Sequence, residues 1–245
     1  TTALLTLIPL LAATQPAFAD MILDNGNAPT STGTTSAVTG TWSTGDEIWW
    51  DDAAGQYVAL GTEEVGVLTN PSGAVDLTLD GTIDIGGLQV DDNGFTLSAG
   101  TLTNSAGTLL LTTTDSGTQL TTNSALAGDV SVEGGLELLH RGTSDGVGTM
   151  EIATGSTLTN SGSITGDIDN DGHVNLETGG TVTGAPTSTE GSLVLVNGAT
   201  TGAGVVITNS GNMINTLAGG GSVIKLVNPN GTASNLTIVN GATGV

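Results

Sequence analysis

From Val75 onward, apolar and polar residues alternate with period two. Val75-x-Leu77-x-Leu79 is followed by Ile83-x-Ile85, Leu88-x-Val90 and Phe95-x-Leu97, with Thr, Asp, Ser and Gln between them. Such spacing places the aliphatic side chains on one face of an extended chain and the polar ones on the other. Turn signals punctuate the runs: Asp80-Gly81, Asn93-Gly94, Asp171-Gly172, Asn197-Gly198, Asn230-Gly231 and Asn240-Gly241. No stretch after Asp20 carries a helical period. Thr, Val and Ile are plentiful and favour strands, whereas helix-favouring Lys, Arg, Gln and Glu are scarce.

Short segments recur. Leu102-Thr103-Asn104-Ser105 returns at Leu158 to Ser161 and, with Ile207 in place of Leu, at Ile207 to Ser210, at offsets of 56 and 49 residues. Val196-Asn197-Gly198-Ala199-Thr200 returns at Val239 to Thr243, an offset of 43. These offsets suit two or three coils of about 20 residues, the mark of a solenoid whose units bury apolar faces only by stacking. The expected fold is all-β, a right-handed parallel β-helix (β-solenoid). An antiparallel sandwich or roll is less favoured, because a two-sheet core calls for larger inward residues than Val, Ile, Leu, Ala and Thr. Recurring Asn would stack into hydrogen-bonded ladders at the corners.

Composition narrows the function. The chain has 24 acidic and 2 basic residues, a formal net charge of −22. Arg141 and Lys225 are its whole basic supply, so no nucleic-acid partner and no attraction to an anionic membrane surface is expected. The absence of cysteine excludes disulfides, thiol catalysis and thiolate metal sites. So acidic a chain with 2% aromatics could be read as disordered, but its mean hydropathy of +0.18 and evenly dispersed apolar residues oppose that.

The front of the chain reads as a secretory signal. Ala3 to Ala13 is apolar but short of the roughly 20 residues that span a bilayer, and Ala17-Phe18-Ala19 supplies a small-x-small cleavage pattern. Residues 1–19 are therefore expected to be a signal peptide, truncated at its front because the charged n-region is missing. Residues 20–74 form a tryptophan-containing cap, and 75–245 form β-helix rungs continuing beyond the fragment. The 226 residues after the leader give about ten coils, or a rod of about 50 Å.

Residues Gly40 to Leu102 carry spaced tryptophans Trp42, Trp49 and Trp50, then Val65-Gly66-Val67-Leu68, Leu79-Asp80-Gly81-Thr82-Ile83, Gly86-Gly87-Leu88-x-Val90 and Gly94-Phe95-Thr96-Leu97-Ser98-x-Gly100-Thr101-Leu102. This stretch resembles bacterial autotransporter passenger domains of the strand-repeat, β-helix adhesin type. The resemblance implies a surface-exposed or secreted, non-enzymatic stalk or adhesin, exported through an outer-membrane translocator barrel that this chain does not contain. Host-cell or self surfaces, or glycans, are its implied partners, and no cofactor is implied. Asn228-Pro229-Asn230-Gly231 is similar to a tetrad of two-partner-secretion haemagglutinins, the alternative export route; an ordinary turn explains it equally well.

Asp167-x-Asp169-x-Asp171-Gly172 matches the start of a calcium loop, in which alternate oxygens wrap a hard cation. Position 12 of such a loop is Thr178, so a plain solenoid turn is the favoured reading and a calcium site at Asp167, Asp169 and Asp171 the alternative. Asp115-Ser116-Gly117 suggests a serine nucleophile only superficially, since His140 and His173 both follow it. His140-Arg141 reads as an inter-rung loop, with a local binding spot as the alternative. Trp42, Trp49, Trp50 and Tyr57 read as a cap over the open end of the solenoid rather than a sugar-stacking platform. Two further function classes stay open. A polysaccharide-active enzyme on this scaffold would need several acids converging in a cleft, and a surface-layer component would bind only itself.

Overall fold

The computed structural model describes residues 21–23, 39–51, 53–69, 74–170, 172–176, 181–184, 186–187, 192–196, 205–209, 224–227 and 236–240. The expected leader at 1–19 and the tetrad at 228–231 lie outside the described residues. Among those described there is no helix, and the strands form three sheets of eleven, nine and five members. All pairings are parallel except two beside the tryptophans. The chain is a β-solenoid.

One coil shows how the sequence makes the turn. The strand Val75–Asp80 lies in the nine-stranded sheet, and Thr82–Asp84 forms the short third side of the coil. Gly87–Val90 joins the eleven-stranded sheet, and a turn at 91–94 returns the chain to Phe95–Ser98, directly upon Val75–Asp80. Period-two alternation does the sorting: along Val75–Asp80 every second residue is buried. The next coil uses one long strand, Thr101–Thr112, for two sides, with a register shift between Thr103 and Thr108 marking the bend.

The core is a set of ladders. In the nine-stranded sheet Val75, Phe95, Leu120, Leu138, Leu158 and Val174 lie in register and all are buried. Their spacings, 20, 25, 18, 20 and 16 residues, are the lengths of successive coils. Leu88, Leu111, Val132 and Ile152 form the matching ladder of the eleven-stranded sheet. Ile83, Leu102 and Leu126, and then Ile164 and Val182, line the third side. A single coil would leave these side chains open to water above and below. Each gains its burial, about 1.5–3 kcal/mol for a fully buried aliphatic side chain, from the coils on either side.

The sequence repeats do not all count whole coils. Leu102 and Ile207 both lie on the third side, Ile207 in register with Val182, whereas Leu158 lies in the nine-stranded sheet. Likewise Val196 ends a strand of the nine-stranded sheet and Val239 lies in the five-stranded one. An aliphatic residue, a Thr and an Asn before a turn suit the end of any side, so identical words recur on different faces.

The tryptophans occupy the antiparallel end. Trp42 stands in register with Leu79, and Trp49 with Leu23 and Val58. Both indoles are buried and meet edge to face, with ring centroids 5.1 Å apart. The hairpin of Trp49–Asp51 and Gln56–Val58 ends the described order of the eleven-stranded sheet. On it Trp50 and Tyr57 are cross-strand partners, edge to face at 5.2 Å and half-buried.

Candidate functional site

The outer surface carries the charge, and its local chemistry follows from the shortage of cations. With 24 acids and 2 basic residues, most carboxylates must be satisfied by hydroxyls and amides. Among the described residues, several are bonded in this way from coil to coil. Ser98 Oγ donates to Asp76 at 2.6 Å, and Thr114 Oγ1 donates to Asp91 at 2.8 Å. Thr69 Oγ1 donates to Asp92 at 2.9 Å, and the Thr149 amide donates to Asp129 at 2.9 Å. Ser105 gives both its amide and its hydroxyl to Asp84. These bonds staple neighbouring coils without neutralising them. Screening should therefore stabilise the protein. Its Tm is expected to rise by about 5 °C between 0.01 and 1 M sodium chloride, as the screening length contracts from about 30 Å to about 3 Å. A calorimetric Tm that falls over this range would mean that attractive charge pairs dominate instead.

Asp167 and Asp169 both lie on the strand Asp167–Asn170, either side of buried Ile168. They stand in register with Thr149 and Glu151 of the preceding coil, Asp167 exposed and Asp169 half-buried. Asp171 lies outside the described residues. Gly172 is buried at the corner that follows and donates its amide to the Ile152 carbonyl. The two described acids thus project from a flat strand. Among the described residues, no group of three or more His, Cys, Asp or Glu side chains is placed to hold a metal ion.

Ser116 and His140 are not brought together. Ser116 is exposed in the turn before the strand Gln119–Thr122, whereas His140 ends the neighbouring strand Glu137–His140, at the opposite end of the paired strands. Nor is His140 in a loop. It is fully buried in the core, and only Arg141 is exposed. The tryptophans separate in the same way. Trp42 and Trp49 are inside, leaving Trp50 and Tyr57, set at 70° to each other, as the partly exposed aromatic pair.

Two further features were not singled out by the sequence. A recess of about 260 Å³ opens where the strand Thr101–Thr112 bends, lined by Thr62, Glu63, Val65, Asn104, Thr108 and Leu110 among others. Glu63 is its one ionisable side chain, and both ends of the Asn104 amide are already bonded, to the Ala106 amide and the Thr108 carbonyl. The second feature is polar and internal. In register above Leu97, the inward positions of three successive coils are Thr122, His140 and Asn160, all buried. The signal lay in the alternation: Leu120-x-Thr122, Leu138-x-His140 and Leu158-x-Asn160 each put the polar residue on the aliphatic face.

Comparison with protein-family models, curated proteins and solved structures finds no match.

Proposed function

We propose that this chain is a passenger segment of the autotransporter type, carried to the bacterial cell surface or released from it, where it serves as a non-enzymatic stalk or adhesive surface. The observation that carries the reading is the column of parallel, in-register strands from Val75 to Val174. Such stacking yields an elongated body whose length grows coil by coil. Its broad sheet faces suit spacing and contact better than enclosing a small substrate. The residue pattern of Gly40 to Leu102 supports the same reading. The dense negative charge would keep repetitive faces from sticking laterally while they cross the envelope and stand on a surface.

The test is display. The chain is fused ahead of an outer-membrane translocator barrel and expressed in bacteria. The reading expects external protease to remove it from intact cells, and expects displaying cells to bind host cells or one another several-fold better than cells bearing the barrel alone. Retention inside the envelope, or polysaccharide cleavage by the purified chain, would contradict it.

A further inference from the structure

His140 is the one titratable side chain in the polar layer. It is fully buried, and its neighbours in register, Thr122 below and Asn160 above, are uncharged. Thr122 is satisfied within its own turn by exchange with Ser124, and Asn160 by the Gly162 amide and the Thr181 carbonyl. The imidazole is not fully satisfied. Its Nε2 lies 3.4 Å from the Ser163 carbonyl and 3.2 Å from Ser144 Oγ, while Nδ1 is buried with no hydrogen-bond partner. A carbonyl can only accept, so the Ser163 contact assigns the hydrogen to Nε2 and leaves Nδ1 a bare lone pair. A second proton would have to go to Nδ1, where no acceptor waits for it.

The ring is covered on one side by the short strand that follows it. The two-residue strand Thr143–Ser144 pairs forward with Ser163–Thr165 and is the edge strand of its sheet among the described residues. Toward the preceding coil Ser144 is held by a side-chain bond, from the Leu126 amide to Ser144 Oγ at 2.8 Å, between the Arg141 amide's bond to the Thr122 carbonyl and the pairing of Gly146 with Ala127. Arg141, Thr143 and Asp145 around it are exposed. The elements packed about the ring present Thr122, Ser124, Ser144, Asn160 and the Ser163 carbonyl. The nearby charges, Glu137, Arg141 and Asp145, lie on the outward side of the strand or are exposed.

We infer that His140 and the corner 140–146 form an acid-operated seam: protonation of the imidazole opens this corner of the solenoid while the aliphatic ladders on either side stay closed. Burial holds the ring's pKa below its ordinary 6.5, with the Ser163 carbonyl pulling weakly the other way. The closed state therefore binds the proton less readily than the open one. The stabilisation is fully present above pH 6.5 and is lost as pH falls from there toward the closed-state value. With one proton linked, the opening constant rises up to about tenfold per pH unit across that window.

Hydrogen exchange on the whole chain at pH 7.5 and 5.0, corrected for intrinsic rates, tests the seam. Peptides covering 137–146 should lose protection at pH 5.0 by up to about tenfold per unit, while those covering 75–98 change little. The same comparison in His140→Asn, or in His140→Gln, should show no acid loosening at the corner. Acid loosening of equal size in the variants, or spread evenly over all coils, would assign it to the carboxylates and overturn the inference. Should both variants fail to fold, the wild-type ring decides by NMR. A ring that titrates near 6.5 with corner protection unchanged contradicts the seam; a ring that charges only as that protection falls supports it.

Discussion

Leu138→Asp is expected to abolish the stacked fold around its coil, lowering stability by at least about 4 kcal/mol. Leu138 is completely buried in the middle of the ladder, in register with Leu120 on one side and Leu158 on the other. Removing a core leucine costs about 2–5 kcal/mol by itself, and the new carboxylate has no cation in reach among uncharged neighbours. Its sequence neighbour is the control. Leu139 points outward from the same strand and is half-buried, so Leu139→Asp should cost under about 1 kcal/mol. Urea unfolding followed by far-ultraviolet circular dichroism separates the two. Equal losses would mean that the inward and outward faces are wrongly assigned.

Gly100→Val is expected to cost about 4 kcal/mol, by a different mechanism. The turn at Ala99-Gly100 holds both residues at positive φ, 56° and 45°. A β-branched residue there is strained whatever the space around it. Space is lacking too: a Cβ on Gly100 would meet the Gly81 carbonyl oxygen at 2.5 Å and the Leu79 carbonyl oxygen at 2.7 Å. Those are backbone atoms of the coil beneath, and they cannot rotate away. The same turn links three coils, since Thr101 donates to the Gly81 carbonyl and Ala125 to that of Gly100. Gly81→Ala, at φ 82° but with open space around its missing Cβ, should cost only about 1 kcal/mol. Comparable losses in the two variants would remove the contribution of stacking contact.

Much of this was legible beforehand, and the exceptions have physical causes. Val75-x-Leu77-x-Leu79 announced its strand because each inward residue was aliphatic and each outward one polar. The inward Thr122, His140 and Asn160 were hidden because residue type and position disagree there, and only continuation of the alternation past Leu120, Leu138 and Leu158 reveals it. The repeated Leu-Thr-Asn was legible as strand-then-turn but not as a coil count, since every side of a solenoid ends in the same way. Trp49 and Trp50 read alike in sequence, yet one is buried against Trp42 and the other faces Tyr57. Only the register of the hairpin tells them apart. Asp167 and Asp169 were legible as a pair on one face, and Ile168 between them, buried in register with Met150, fixes that face outward.

The central claim is that successive turns of the chain lie parallel and in register, and the absence of native cysteine permits a clean measurement of it. Thr96, Thr121 and Leu139 stand side by side on three neighbouring strands, facing outward. Adjacent strands bring Cα atoms to about 5 Å, within disulfide reach. In the double variants Thr96→Cys/Thr121→Cys and Thr121→Cys/Leu139→Cys, mild oxidation should close an intramolecular disulfide in both, read as an intact-mass loss of two hydrogens. A displaced pair such as Thr96→Cys/Thr159→Cys should stay reduced. Failure of both adjacent pairs to close, or equal closure of the displaced one, would contradict the stacked solenoid.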